Sequence, residues 1–187
     1  MSISISQPKY SFREITEEDA SISKLAADLK LIKHPNGGYF NETDRANKKV
    51  SIDKDQVRNE STLIHFLMTC ESPIGKFHTN IQSRTIHILQ KGRGVYILIH
   101  PNGEIETFRV GFDIANGERT QWIVEPGTYK ACYIIPEGDA EDSNKDCLWV
   151  SEVVVPGFDF QDMKFPTLSD LTSLVGEKTA LSIDWLI

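Results

Sequence analysis

The chain lacks the features that would place it in a membrane, on nucleic acid or in the secretory pathway. No apolar run approaches the roughly 20 residues that a membrane helix needs, and the first residues have neither the basic flank nor the apolar stretch of a secretion signal. Acidic residues outnumber basic residues and give a formal net charge of -7. This charge disfavours binding to the phosphate backbone of a nucleic acid. We therefore expect a cytoplasmic protein, or one that is also nuclear, that binds neither nucleic acid nor membrane.

Cysteine is also scarce. Cys70, Cys132 and Cys147 are far apart in sequence, and none belongs to the closely spaced pairs that hold zinc or form redox disulfides. We expect three structural free thiols.

The first clear pattern along the chain is helical and lies near the N-terminus. Ile22, Leu25, Ala26, Leu29 and Ile32 recur at three- and four-residue intervals, which predicts one amphipathic helix over 20–31. Pro and Gly in the segment 34–38 then end the helical pattern.

From residue 39 to residue 155 the chain consists of short runs rich in β-branched and aromatic residues, separated by Gly, Asn, Asp and Pro. The best strand candidates are 61–69, 84–90, 94–100, 104–111, 119–124, 128–135 and 148–155. The turns 101–103 and 115–117 both end in Asn-Gly, which is typical of hairpins. Such a pattern predicts an all-β sandwich or barrel, for which a jelly roll is a standard arrangement.

The domain organisation that we expect is simple, because 187 residues suit a single core. Residues 1–15 form an N-terminal arm, and residues 16–165 form the domain, including the helix. A C-terminal extension over 166–187 carries two short helices, at 168–175 and 178–186.

The most informative segment is Gly75-Lys76-Phe77-His78-Thr79-Asn80, with His87 and Gly92 after it and a later turn that ends at Lys130. It resembles the metal-binding motif of the cupin superfamily, in which two histidines, a glutamate and a glycine precede a third histidine. The resemblance implies a cupin-type jelly-roll β-sandwich or barrel with a short N-terminal helix and short C-terminal helices.

The motif departs from that family at most of its ligand positions. His78 matches the first histidine, but Asn80 replaces the second, Arg84 or Thr85 the glutamate, and Lys130 the last histidine. We therefore predict no cofactor. A weakly held divalent metal, on His78 and His87, is the alternative.

Two further signatures narrow the resemblance. His-Pro-x-Gly-Gly-Tyr at 34–39 and Pro-Gly-Phe-Asp-Phe at 156–160 are similar to those of a small single-domain cupin family of unknown function, above all to its fungal members. The resemblance implies a small-molecule pocket inside the barrel and supports a homodimer formed by sheet edges, which an antiparallel sandwich leaves open.

Strand periodicity selects the candidate catalytic residues. In 84–90, Thr85, His87 and Leu89 share one face, so that His87 can converge with His78 inside the barrel as an acid/base pair. The alternative is a pair of buried histidines satisfied by the backbone. Lys130 would be costly inside unless paired, so it either points to solvent or meets an anionic ligand, and the matching cupin position looks into the cavity.

The candidate ligand-binding residues share polar or aromatic character near these strands. They are Tyr39, Glu42, Asn80, Arg84, Thr85, Tyr129 and Lys130. The predicted ligand is a small molecule that carries an anionic group.

Three functions fit this pattern. The first is a metal-independent epimerase or isomerase of a sugar derivative, because proton abstraction beside a carbonyl needs a base and an oxyanion partner. The second is a non-catalytic metabolite-binding module, and the third a metal-dependent dioxygenase or decarboxylase. A carboxylate within reach of either histidine would favour catalysis over binding.

Overall fold

The computed structural model of the chain describes residues 5, 7, 18–53, 56–136 and 144–187. Nearly all of the predicted arm lies outside these residues, and the expected division into arm, domain and extension stays a prediction. The strands are β1 (Ile32–Lys33), β2 (Tyr39–Arg45), β3 (Lys49–Asp53), β4 (Gln56–Asn59), β5 (Thr62–Thr69), β6 (Ile74–Asn80), β7 (Arg84–Gly92), β8 (Gly94–Ile99), β9 (Ile105–Val110), β10 (Gln121–Val124), β11 (Tyr129–Ile134), β12 (Cys147–Val155) and β13 (Met163–Lys164). The helices are α1 (Ala20–Asp28), α2 (Leu168–Val175) and α3 (Glu177–Ser182).

The strands form two packed antiparallel sheets, which confirms the predicted jelly roll. One sheet has six strands in the order β1-β2-β5-β12-β7-β10, and the other has five in the order β13-β6-β11-β8-β9. A separate ribbon pairs β3 with β4. Neighbours in each sheet are mostly distant in sequence, so that residues from separate motifs meet on the inner faces.

The main core lies between the two sheets. Its buried members come from both inner faces and include Phe66, Met68, Tyr96, Trp122 and Leu148. A second cluster fills the outer face of the five-stranded sheet, where Leu171, Ala180, Ile183 and Leu186 of the C-terminal segment cover it. The polar cavity described below interrupts the inner core.

Helix α1 is shorter than its sequence pattern predicts. It ends at Asp28, because Lys30 adopts a positive φ of 54° and Leu31 N–H bonds back to the Ala26 carbonyl at 3.0 Å. This is a left-handed helix end of the kind usually made by glycine. Residues 32 and 33 then begin the six-stranded sheet, so the segment 34–38 ends a strand instead of a helix.

Two other local predictions need correction. Residues 115–117 do turn, but they belong to a short 3₁₀ helix at Ile114–Asn116 between β9 and β10, which lie in different sheets. The turn is therefore a crossover between sheets, unlike the true hairpin at 101–103. The predicted helix over 178–186 is α3 followed by a separate 3₁₀ turn at Asp184–Leu186. No helix in the described ranges is long and apolar enough to cross a bilayer.

Candidate functional site

Two pairs of polar residues face each other across the sandwich. In the six-stranded sheet, β7 pairs with β12 so that His87 lies opposite Glu152. In the five-stranded sheet, β6 pairs with β11 so that His78 lies opposite Lys130. All four side chains point between the sheets, where most neighbours are apolar, so the cost of burying them must be offset by mutual contacts.

Lys130 connects the two sheets. Its Nζ donates to Glu152 Oε2 at 2.8 Å and lies 2.9 Å from His87 Nε2. All three residues are buried: Lys130 is 5% exposed, Glu152 is 7% exposed and His87 is 0% exposed. Because an ammonium has three N–H donors, one is left over for a ligand in the cavity that Lys130 lines.

His87 is held as a neutral ring. Burial lowers its pKa to about 3, and the Lys130 ammonium lowers it further than Glu152 raises it. The neutral Nε2 accepts from Lys130, so Nδ1 carries the proton. Nδ1 makes no hydrogen bond of good geometry with the described residues, and the Thr85 backbone acts on it only weakly. The ring stacks on Trp122 with centroids 4.9 Å apart.

Glu152 is held as a carboxylate. Burial alone would raise its pKa, but the Lys130 ammonium and its hydrogen bond outweigh burial and lower the pKa to about 2. Its Oε1 lies 3.5 Å from His87 Nε2. The base of the cavity therefore holds one positive and one negative charge and is neutral as a whole.

A β-bulge aims His78 into the cavity. Lys130 pairs with His78, and Cys132 pairs with Gly75. Two residues of β6, Lys76 and Phe77, therefore lie opposite one residue of β11, Ala131. A bulge of this kind changes which way the following side chain points. At the bulge the Lys76 N–H bonds outside the ladder and donates to the Asn36 carbonyl at 2.7 Å, and the Lys76 carbonyl lies 3.0 Å from His78 Nδ1.

The loop at 34–38 supplies the other polar wall. Gly37 has a φ of 103°, and a Cβ there would lie 2.1 Å from the Ile74 carbonyl oxygen, so only glycine lets the loop sit this close to β6. The loop presents His34, which packs edge-on against Phe40 and Phe66. It also presents Asn36, 2% exposed, whose Nδ2 lies 2.8 Å from His78 Nδ1.

These groups line one cavity with an empty volume of about 300 Å³, including its open mouth. Ile64 and Phe66 form its apolar wall. The remaining lining residues are His34, Asn36, His78, Tyr96, Lys130, Cys132 and Glu152. The cavity volume that compares with those of known ligand sites is only about 20 Å³, room for about one water molecule, so only a small reacting group fits inside it.

The structure brings together three of the residues predicted from sequence, His78, His87 and Lys130. His78 and Lys130 line the cavity, whereas His87 lies behind Lys130 and contacts it. Asn80 and Thr85 bond to each other at 3.3 Å beside the site. The inward face predicted for Thr85, His87 and Leu89 is confirmed by their burial.

The other predicted ligand-binding residues do not converge on the cavity. Glu42 lies opposite Ile64 in the sheet, but its side chain is at the surface and pairs with Arg45 at 2.7 Å. Arg84 lies on the outward face of β7 and pairs with Glu125 at 3.0 Å. Tyr129 packs in the cluster under the C-terminal helices. Tyr39 lines a shallow groove next to the cavity. Fewer residues therefore line the cavity than the sequence pattern predicts.

Sequence reasoning missed Glu152, His34 and Asn36. Glu152 is a lone carboxylate in the apolar strand β12, and a lone charge in such a strand is a signal of pairing. His34 and Asn36 belong to a recognised signature, but they were interpreted only as the end of a helix.

The residues present do not fit a metal. His87 Nε2 and Glu152 Oε2 already contact the Lys130 ammonium, which a divalent cation would have to displace. No group of three or more His, Cys, Asp or Glu side chains within the described ranges is arranged to hold a metal ion.

The model of the family described as Cupin superfamily (DUF985) matches residues 23–166. The chain belongs to this cupin family. An uncharacterised Saccharomyces cerevisiae protein, YML079W, is 44% identical over 181 residues, covering 91% of this chain and 88% of its own.

Solved structures agree with this cupin fold. A hypothetical protein from Leishmania major superposes with a TM-score of 0.76 at 26% identity, over 88% of this chain and 97% of its own. Protein SO0799 from Shewanella oneidensis gives a TM-score of 0.72 at 22% identity, over 91% and 98%. Neither name assigns an activity, so the function has to be argued from the cavity.

Proposed function

We propose that this cupin is a metal-independent enzyme that moves a proton on a carbon beside a carbonyl group, as in the epimerisation or isomerisation of a sugar derivative. The observation that carries the proposal is the Lys130 ammonium, which is held between a buried carboxylate and a neutral imidazole and, among the described residues, has no recorded partner for its third N–H. Such a donor can stabilise an oxygen that becomes negative during the reaction.

His78 is the base in this proposal. Burial lowers its pKa to about 3, with the Lys130 ammonium as the next cause, so the ring is neutral near pH 7. It is a weak base in the empty site. Once negative charge forms on a substrate oxygen beside Lys130, that charge offsets the ammonium and makes proton uptake by His78 easier.

Glu152 and His87 are positioning residues. They hold Lys130 from the opposite sheet at 2.8 and 2.9 Å, so the ammonium does not have to reorganise as charge develops. Glu152 Oε1 also lies 3.5 Å from His87 Nε2, but both atoms are acceptors in this tautomer, so Glu152 acts on His87 only through Lys130.

The anionic part of the ligand is better placed outside the barrel than at Lys130, whose charge Glu152 neutralises. The groove beside the cavity shares His34 and Asn36 with it and is also lined by Lys33 and Lys76. A phosphate or carboxylate tail in this groove would leave the uncharged reacting end inside. Glu71 on the same groove makes the net attraction modest.

The experiment is to incubate the protein with chelator in deuterium oxide and a set of small hydroxyaldehydes and hydroxyketones, with and without phosphate groups. Proton NMR then follows exchange of the carbon-bound hydrogen. We expect exchange by the wild type that falls by about 100-fold or more in His78→Gln and Lys130→Met, since each removes a group that acts in the transition state.

His100→Gln is the matched control, because His100 lies on the surface beside Glu106. It should exchange at the wild-type rate. Tight binding of one compound without any exchange would instead support the metabolite-binding module.

A further inference from the structure

His34 and His78 are neighbouring imidazoles on the cavity wall, with ring centroids 6.4 Å apart. Both rings are at least half-buried. Their hydrogen bonds differ, and the difference fixes which nitrogen of each ring carries the proton.

In His34 the proton is on Nε2. The backbone N–H of Asn36 donates to His34 Nδ1 at 3.3 Å, so Nδ1 is unprotonated. Burial lowers the pKa of His34, which keeps the ring neutral. A neutral imidazole with an accepting Nδ1 carries its hydrogen on Nε2 and is a donor there.

In His78 the proton is on Nδ1. Nδ1 lies 3.0 Å from the Lys76 carbonyl oxygen, which can only accept. The carbonyl belongs to the bulged residue two positions before His78, so the contact is a local acceptor for an Nδ1–H donor. The remaining nitrogen, Nε2, then carries a lone pair and no hydrogen.

The side-chain amide of Asn36 decides between this tautomer and the opposite one. If Asn36 Nδ2 donated to His78 Nδ1 at 2.8 Å, the Nδ1 lone pair would face the Lys76 carbonyl. Exchanging the amide nitrogen and oxygen, which have nearly the same shape, lets Oδ1 accept from Nδ1–H. As placed, Oδ1 has no partner. The exchange removes the repulsion between Nδ1 and the Lys76 carbonyl and leaves the amide oxygen 3.4 Å from His78 Nε2, a longer and weaker contact.

We propose that His34 is a second catalytic residue, whose Nε2–H donates a hydrogen bond to the carbonyl oxygen of an α-hydroxycarbonyl substrate while the bare Nε2 of His78 removes the proton from the adjacent carbon. The inference rests on the proposed function. The electron pair of the broken C–H bond becomes the C=C bond of an enediolate, and the carbonyl pair moves to the oxygen that His34 and Lys130 stabilise. His34 keeps its proton, and His78 returns the abstracted one to the neighbouring carbon while the hydroxyl hydrogen moves to the enediolate oxygen, which completes an isomerisation; return to the same carbon regenerates the substrate, with exchange in deuterium oxide.

The first test needs no substrate. Long-range ¹H–¹⁵N NMR of the ¹⁵N-labelled full chain distinguishes the two imidazole tautomers. We expect His34 as the Nε2–H form and His78 as the Nδ1–H form, assigned by comparison with His34→Gln and His78→Gln. The same tautomer in both rings, or the reversed assignment, would overturn the inference.

The second test uses the exchange assay. A glutamine amide reaches the place of a histidine Nε2, whereas an asparagine amide reaches only that of Nδ1. His34→Gln should therefore retain exchange within about 10-fold, while His34→Asn loses about 100-fold or more, the usual effect of removing one oxyanion donor. Both substitutions at His78 should abolish exchange, because an amide is not a base.

The outcomes separate the two proposals. Equal rates for His34→Gln and His34→Asn, with both melting temperatures near that of the wild type, would contradict the role of His34 and leave His78 as base. Failure of the wild type to exchange any compound would contradict the proposed function, and the tautomer measurement would still decide the arrangement of the two rings.

Discussion

Lys130 is the residue on which the charge state of the cavity depends. It keeps Glu152 ionised, helps to keep His87 and His78 neutral, and joins the two sheets. Its removal should therefore affect stability as well as chemistry.

Replacing Lys130 by methionine leaves the Glu152 carboxylate buried without its partner. We expect Lys130→Met to lower the free energy of unfolding by about 3 kcal/mol, as for other broken buried pairs, measured by urea denaturation. The double variant Lys130→Met with Glu152→Gln should be less destabilised than the sum of the two single variants. Arg84→Met breaks the exposed pair with Glu125 and should cost at most about 1 kcal/mol. Strict additivity would contradict the coupling.

The lowered pKa values make the fold sensitive to acid. His87 has a pKa of about 3 in the fold, against an ordinary value of 6.5 for an exposed histidine, so between these pH values the unfolded chain binds a proton that the folded chain does not. Stability should fall as the pH falls, by about 1.4 kcal/mol per pH unit for this group. Glu152, lowered from 4.5 to about 2, stabilises the fold fully above pH 4.5 and loses that contribution as the pH falls towards 2.

Urea titrations at a series of pH values measure this dependence. His87→Gln keeps an acceptor for Lys130 but cannot bind the proton. Above pH 4.5 the free energy of unfolding should therefore change less steeply with pH, by the contribution of this one group. An unchanged slope would show that the protonation of His87 is not linked to folding.

At the level of single residues, sequence reasoning succeeded where a regular period decided the outcome. The two-residue period put His87 on one face with Thr85 and Leu89, and the cupin resemblance favoured the inward side for His87 and Lys130; both are buried. It failed for Glu152, because which strand lies next to β7 depends on long-range pairing with β12. It also failed for Glu42 and Arg84, which form ion pairs with Arg45 and Glu125 instead of lining the cavity.

Among the elements, the bulge in β6 and the loop at 34–38 act together. The loop carries His34 and Asn36, and at the bulge the Lys76 N–H anchors the loop while the Lys76 carbonyl contacts His78. No sequence period predicts a bulge, since it interrupts the period, and this is why the role of the loop was not anticipated.

A methyl group at Gly37 tests this arrangement. Its Cβ would lie 2.1 Å from the Ile74 carbonyl oxygen at a φ of 103°. We expect Gly37→Ala to destabilise the protein by about 2 to 3 kcal/mol and to perturb the His34 and His78 ring signals in NMR spectra. Gly117→Ala is the control, because Gly117 has a φ of 85° but no atom within 4 Å of the added Cβ. Its cost should be about 1 kcal/mol, with the ring signals unchanged; equal costs would contradict the close approach.

For the whole molecule, the alternating short strands and Asn-Gly turns were enough to predict an all-β sandwich, and the family signatures were enough to predict its jelly-roll form. The order of the strands within the two sheets could not be predicted, because strands that are neighbours in a sheet are mostly separated by long stretches of chain.

The open sheet edges support the predicted homodimer. Edge strand β10 exposes Ile123, 46% accessible, and the segment before it exposes Phe112 and Ile114. We expect light scattering to give a dimer at micromolar concentration, and Ile123→Glu combined with Phe112→Ser to give a monomer of similar melting temperature. Leu181→Ser, at another exposed apolar side chain, is the control that should remain dimeric. A monomeric wild type would contradict this prediction.

The most direct test of the whole account is solvent-hydrogen exchange into a hydroxycarbonyl compound, with the metal content determined on the same sample. The protein is prepared without affinity-tag metal and analysed by mass spectrometry for its elements. The account predicts exchange with far less than one metal ion per chain, unaffected by chelator and abolished in His78→Gln. Exchange that is lost on chelation and restored by a divalent transition metal would contradict it.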